Sequence, residues 1–273
     1  MGMLKVISIF LILIGTQVLA DDNSLKVTED TSGPEKAAAA AGEAYTAYGR
    51  GEYQKALNLW KSLAETNNAW AQLYLGVLYS DYKVPFRDNL EAFKWYNLAA
   101  ENGLSGAQSN VGSIYWKGND TITKNLPRAI KWFELASKNT SNIDHERTTG
   151  DQRAQHNLGM IYFAGEGVLQ DYNKALNLFK RAAKGNLPHN ALSQYALGVM
   201  YYNGFGTLQD KVLAHMWWDI SAAQQNKKAP LARNKVAKEM TPRELSIAKA
   251  MAKECMPKRW PISRRYRKCD YQK

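Results

Sequence analysis

The chain has 273 residues, 45% of them hydrophobic and 22% charged, with a formal net charge of +11. Both of its cysteines, Cys255 and Cys269, fall near the C-terminal end, which excludes a disulfide framework running through the chain. Residues 227–273 carry 15 basic and 4 acidic side chains and residues 21–226 carry 20 and 21, so the basic excess belongs to one end rather than to the whole surface.

In chain order, the first element is the apolar stretch VISIFLILIGTQVLA at residues 6–20, which follows Lys5 and precedes DDNS. This layout predicts a signal peptide at 1–20, cleaved after Ala20, since a membrane-spanning helix needs about 20 apolar residues. No cysteine follows that stretch, so a lipid-modified amino terminus is not expected. A flexible linker is expected over 21–36, then an opening helix in AAAAAGEAYTAYGRG and a second in GEYQKALNLWKSLAE.

From Ala71 a pattern recurs as AQLYLGVLY, AQSNVGSIY, AQHNLGMIY and SQYALGVMY. Each copy has an aliphatic residue one position before a glycine (Gly76, Gly112, Gly159, Gly198) and a tyrosine three positions after it (Tyr79, Tyr115, Tyr162, Tyr201). The glycines stand 36, 47 and 39 residues apart, a period of stacked supersecondary units. A glycine inside a helix costs about 1 kcal/mol against alanine, so a close helix crossing is the expected compensation.

A second helical face follows each glycine helix: Ala92, Trp95, Tyr96 and Ala99; Ala129, Trp132, Phe133 and Ala136; Ala175, Leu178, Phe179 and Ala182; Ala214, Trp217, Trp218 and Ala222. The links AGEGVLQD and NGFGTLQD place Gly165 with Gly167, and Gly204 with Gly206, at turns. Asp171 and Asp210 stand where an N-cap is needed. The 138–153 stretch lengthens one repeat with polar residues and reads as a solvated loop; Asn119 and Asn139 begin N-x-[ST] triplets. Beyond Ala223 the repeat fades into APLARNKVAKEM and TPRELSIAKAMAKECM, the latter with Thr241 as N-cap, Pro242 at the first position and Glu244 completing a capping box. The tail to Lys273 is expected to be irregular.

These residues, an alanine, then Leu-Gly, a tyrosine, a Gly-x-Gly turn, an aspartate and an alanine-aromatic helix, resemble the Sel-one-like repeat family, a relative of the tetratricopeptide repeats. The motif is complete over Ala154–Ala183 and nearly so over Ser193–Ala223. SDYKVPFRD lacks both turn glycines and KGNDTITKN keeps only Gly118, so those links are expected to be less regular. The resemblance implies an all-α, right-handed solenoid of stacked antiparallel helix pairs over 37–226, closed by a C-terminal helical cap and a disulfide-pinned tail over 227–273. By analogy with related solenoids, whose first helices line a concave face, Ser109, Ser113, Trp116, His156, Met160, Phe163, Tyr195 and Tyr202, with Leu73 and Val199, are expected to face a groove. Trp116, Phe163 and Tyr202 share one offset and would form an aromatic ladder, either a binding surface or part of the core.

Catalytic and metal constellations are absent from the sequence: no HExxH, no GxSxG, no CxxC beside a histidine. Ser80-Asp81-Tyr82-Lys83 fits SxxK without its SDN and KTG companions, so a β-lactam- or cell-wall-directed hydrolase is the minor alternative to a non-enzymatic holder. The expected role is an exported adaptor, secreted or periplasmic, with protein partners and no cofactor. Lys258, Arg259, Arg264, Arg265, Arg267 and Lys268 form a basic patch suited to an anionic membrane surface or an acidic polysaccharide; nucleic acid is not expected of an exported chain. An aromatic-lined structural role on polysaccharide is a further alternative. One disulfide, Cys255–Cys269, fits an exported chain.

Overall fold

The computed structural model of the protein describes residues 34–138, 150–184 and 188–255. The signal peptide, the linker up to residue 33, residues 139–149 of the polar insertion, and the tail carrying Lys258, Arg259, Arg264, Arg265, Arg267, Lys268 and Cys269 lie outside the described residues. The described residues form twelve helices and no strand. In chain order these are α1 (Pro34–Gly49), α2 (Tyr53–Glu65), α3 (Ala69–Ser80), α4 (Asn89–Glu101), α5 (Ser105–Lys117), α6 (Leu126–Lys138), α7 (Gln152–Ala164), α8 (Tyr172–Ala182), α9 (Pro188–Asn203), α10 (Lys211–Ala223), α11 (Ala229–Ala237) and α12 (Pro242–Cys255).

The helices pair as α1/α2, α3/α4, α5/α6, α7/α8 and α9/α10, and each pair stacks on the next. In the four pairs from α3/α4 to α9/α10, the glycine of the first helix is what lets the second come close. A methyl group added at Gly112 would stand 2.8 Å from the Phe133 ring, and one at Gly159 would stand 2.8 Å from Phe179. At Gly76 and Gly198 it would run into Tyr96 and Trp218 closer still. The lost helix propensity is thus exchanged for a buried aromatic ring laid against bare backbone. The aliphatic residues before the glycines, Leu75, Val111, Leu158 and Leu197, are buried, as are the alanines of the second helices at Ala92, Ala129, Ala175 and Ala214.

The four links that follow the motif tyrosines are tied down in the same way. The amides of Asp88, Asn125, Asp171 and Asp210 donate to the carbonyls of Tyr79, Tyr115, Tyr162 and Tyr201 at 2.9, 2.7, 2.9 and 2.8 Å. The side chains of the same four residues accept from the amides of the first turn of the following helix. Gly165 and Gly167 take φ of 69° and 71°, the left-handed turn that their spacing called for. The 118–125 link has a positive φ only at Gly118, and the 81–88 link has none and instead tucks Val84 into the core.

The C-terminal helices close the stack, α11 and α12 both packing on α10. Thr241 and Glu244 form the reciprocal box: the Thr241 amide donates to Glu244 Oε2 at 2.8 Å and the Glu244 amide to Thr241 Oγ1 at 3.2 Å. Inside the cap, His215 is buried on α10 one turn from Asp219, which pairs with Arg233 of α11 at 2.6 Å. Burial pushes the His215 imidazole pKa down; Asp219 opposes that shift, and Arg233 and Lys249 add to it.

Candidate binding groove

The first helices α7 and α9 run side by side and leave an open cleft of about 930 Å³ between them. Helix α7 contributes His156, Met160 and Phe163, α9 contributes Leu192, Tyr195, Ala196 and Val199, and Phe179 of α8 forms part of the floor. The α10–α11 link, Gln224 to Lys228, makes the rim. Phe179 is held there by Gly159, so the packing that stacks the repeat also presents an apolar floor. Met160 and Leu192 are exposed large apolar side chains. His156 shares a 2.9 Å hydrogen bond between Nδ1 and Ser193 Oγ, which ties α7 to α9, and its ring lies 5.6 Å from that of Phe179.

The sequence-derived groove residues divide. His156, Met160, Phe163, Tyr195 and Val199 come together in this cleft. Ser109 does not face a groove at all: it is fully buried on α5, where a small side chain admits a neighbouring helix. Ser113 is half-buried, its hydroxyl donating to the Ser109 carbonyl at 2.8 Å and accepting from Asn157 of α7 at 3.4 Å.

The aromatic ladder is built into the fold at each rung. The Trp116 indole donates to Glu166 Oε2 at 2.9 Å and meets Phe133 edge-on at 6.1 Å. The same carboxylate takes Lys124 at 2.6 Å, and these two bonds, Lys124 first, hold its pKa below the usual carboxylate range. Tyr202 donates to Glu239 at 2.8 Å and packs 5.7 Å from Trp218. The bond to Glu239 raises the Tyr202 pKa and lowers that of Glu239. Phe163 packs with Tyr172 and Phe205, yet it alone of the three lines the cleft.

Sequence reasoning missed Ala191, Leu192, Ala196 and the rim residues 224–228. Leu192 lies outside the glycine-tyrosine motif, and Lys227 and Lys228 were visible only as the start of the basic end. The SxxK resemblance also resolves. Ser80 is the last residue of α3, so Lys83 is not one turn further along the same helix, where a catalytic Ser–Lys pair would need it. Ser80 Oγ is 2.9 Å from the Tyr96 hydroxyl, while the Lys83 ammonium lies over the Tyr82 ring at 5.8 Å. Among the described residues no three His, Cys, Asp or Glu side chains gather as a metal site, and no helix is long and apolar enough to cross a membrane.

A right-handed stack of helix pairs, four of them locked by a glycine under an aromatic ring, defines a tetratricopeptide-like repeat protein. Residues 71–104, 105–141, 152–187 and 191–226 match the Sel1 repeat, and the chain belongs to that family, whose members generally mediate protein–protein interaction. It is 32% identical over 149 residues to DAP3-binding cell death enhancer 1 of Rattus norvegicus, across 50% of this chain and 26% of that protein. It is 29% identical over 127 residues to the ERAD-associated E3 ubiquitin-protein ligase component HRD3B of Arabidopsis thaliana, across 46% of this chain and 18% of that one. The chain thus spans only about a fifth to a quarter of the length of these relatives. A solved Sel1 repeat protein from Oxalobacter formigenes shares the fold, with a TM-score of 0.63 at 24% identity over 82% of this chain and 91% of that one.

Proposed function

We propose that the protein is an exported, non-catalytic adaptor that holds protein partners in the cleft between α7 and α9. The observation that carries this reading is the cleft itself: apolar side chains from two successive first helices, Met160 and Leu192 among them, stand open to solvent around one shared concavity. Open apolar surface of this kind is a recognition feature in soluble proteins. Export rests on the apolar stretch at 6–20, and the mature chain would begin at Asp21. In that setting Cys255, buried at the end of α12, pairs with Cys269 and staples a loop of about 15 residues, worth roughly 3 kcal/mol in the chain-entropy model. The basic tail supplies a second, salt-sensitive attraction to anionic surfaces.

The test is crosslinking in the native compartment with the wild type and with Met160→Glu/Leu192→Glu. Both residues are exposed, so the double variant keeps its melting temperature to within about 2 °C. Loss of captured proteins in that variant supports the reading; undiminished capture rejects the cleft as the site. N-terminal sequencing of the mature protein checks the cleavage at Asp21, and a Cys255–Cys269 linked peptide in a non-reducing digest checks the disulfide.

A further inference from the structure

We infer that the cleft takes a peptide of a particular chemistry: large apolar side chains followed at one end by aspartate or glutamate. This rests on the cleft being the binding site and specifies what enters it. Two independent features meet there. The floor and walls are apolar, built by Met160, Phe163, Phe179, Leu192, Tyr195 and Val199. The rim at the α10–α11 link carries Lys227 and Lys228, both exposed.

The rim charge is uncompensated by its surroundings. Among the described residues neither lysine pairs with a carboxylate. Asp219 and Glu239 are engaged elsewhere, Asp219 by Arg233 at 2.6 Å and Glu239 by Lys211 at 3.1 Å and by Tyr202. The link is also held in a set shape: Gln225 takes φ of 66°, a left-handed conformation uncommon for a residue with a side chain, and Asn226 Oδ1 accepts from the Lys228 amide at 2.9 Å. The turn thus fixes the backbone from which both lysines extend at the cleft mouth.

An acyl chain is a poorer fit, since the cleft is open along its length and would leave a lipid tail wet on one side. A peptide brings a backbone that stays solvated there while its side chains fill the floor. The exposed Gln225 side chain can pair with that backbone, as an amide carries both donors and an acceptor.

The probe is a random linear-peptide display library selected on the purified protein, on Lys227→Glu/Lys228→Glu and on Leu192→Glu/Tyr195→Ala. Peptides recovered on the wild type should combine apolar residues with acidic ones. A representative should bind about fivefold more tightly than its amide-for-carboxylate version, a difference that shrinks with added salt. On the lysine variant the acidic preference should vanish while the apolar pattern persists. Apolar peptides without acidic enrichment on the wild type overturn this inference and leave the cleft as a binding site. Recovery unaffected by Leu192→Glu/Tyr195→Ala overturns both. Tighter binding of dodecanoate than of any selected peptide, or a wild-type dimer that the lysine variant dissolves, overturns the inference in favour of a lipid or a second copy.

Discussion

Helices α5 and α9 hold the same place in their repeats and α7 lies between them, touching both, and the 930 Å³ cleft lies on its α9 side. The difference is written at two offsets from the glycine. Three residues before it stand Ser109 on α5 and Tyr195 on α9; one residue after it stand Ser113 and Val199. On the serine side α7 settles against the surface, with Arg153 reaching the Gly106 carbonyl at 3.4 Å and Asn157 reaching Ser113. On the other side α9 also meets α7, through His156 and Ser193 at 2.9 Å, while Tyr195 and Val199 line the cleft. The glycines set how the two helices of one repeat pack, and these other positions differ in what they present: a hydroxyl to Asn157 of α7 on one side, larger apolar groups to the cleft on the other.

The largest expected effects fall on what both sides share. Phe133→Ala and Phe179→Ala each remove a fully buried ring that lies on a glycine, and each should cost about 3–5 kcal/mol in urea unfolding. If one is nearly neutral, the glycine-aromatic lock is not common to both regions. The contrast itself is tested by Ser109→Leu, which overfills a fully buried position and should cost about 1–3 kcal/mol, whereas Tyr195→Leu at the same offset should cost under about 1 kcal/mol. Asp171→Ala removes the bond from the Lys174 amide and should cost about 1 kcal/mol, read as a lowered melting temperature.

The smallest effect is a pH dependence on the cleft side alone. His215 is buried on α10 behind α9, and its folded pKa is depressed by desolvation. The unfolded state therefore binds the proton first on acidification. The stabilising contribution is fully present above the unfolded value of about 6.5 and is lost as pH falls through the folded value below it. His215→Leu should flatten stability over that window in a urea-midpoint series, and an unchanged slope would assign the acid response elsewhere.

Much of this was legible in the chain. The glycine, tyrosine and alanine-aromatic periods gave the helix pairs, and Asp171, Asp210, Thr241 and Glu244 marked helix starts because capping is a local interaction. The groove was only half legible. His156, Met160, Phe163 and Tyr195 follow from their offsets, but Ser109, expected by analogy on an open face, is fully buried. Trp116 and Tyr202 find their partners Glu166 and Glu239 tens of residues away, which no local period announces. Lys227 and Lys228 reach the cleft through the turn at Gln225, a residue type that does not advertise positive φ.

The amide-to-carbonyl tie between each cap residue and the motif tyrosine has a bearing on how such chains change over generations. It closes the two ends of a link on each other inside one repeat, whatever lies between, whether Gly-x-Gly or the glycine-free 81–88. A loop can therefore be recoloured, shortened or swapped without re-tuning the neighbouring rods, which leaves the rim of the array free to drift towards new partners while the frame stays put.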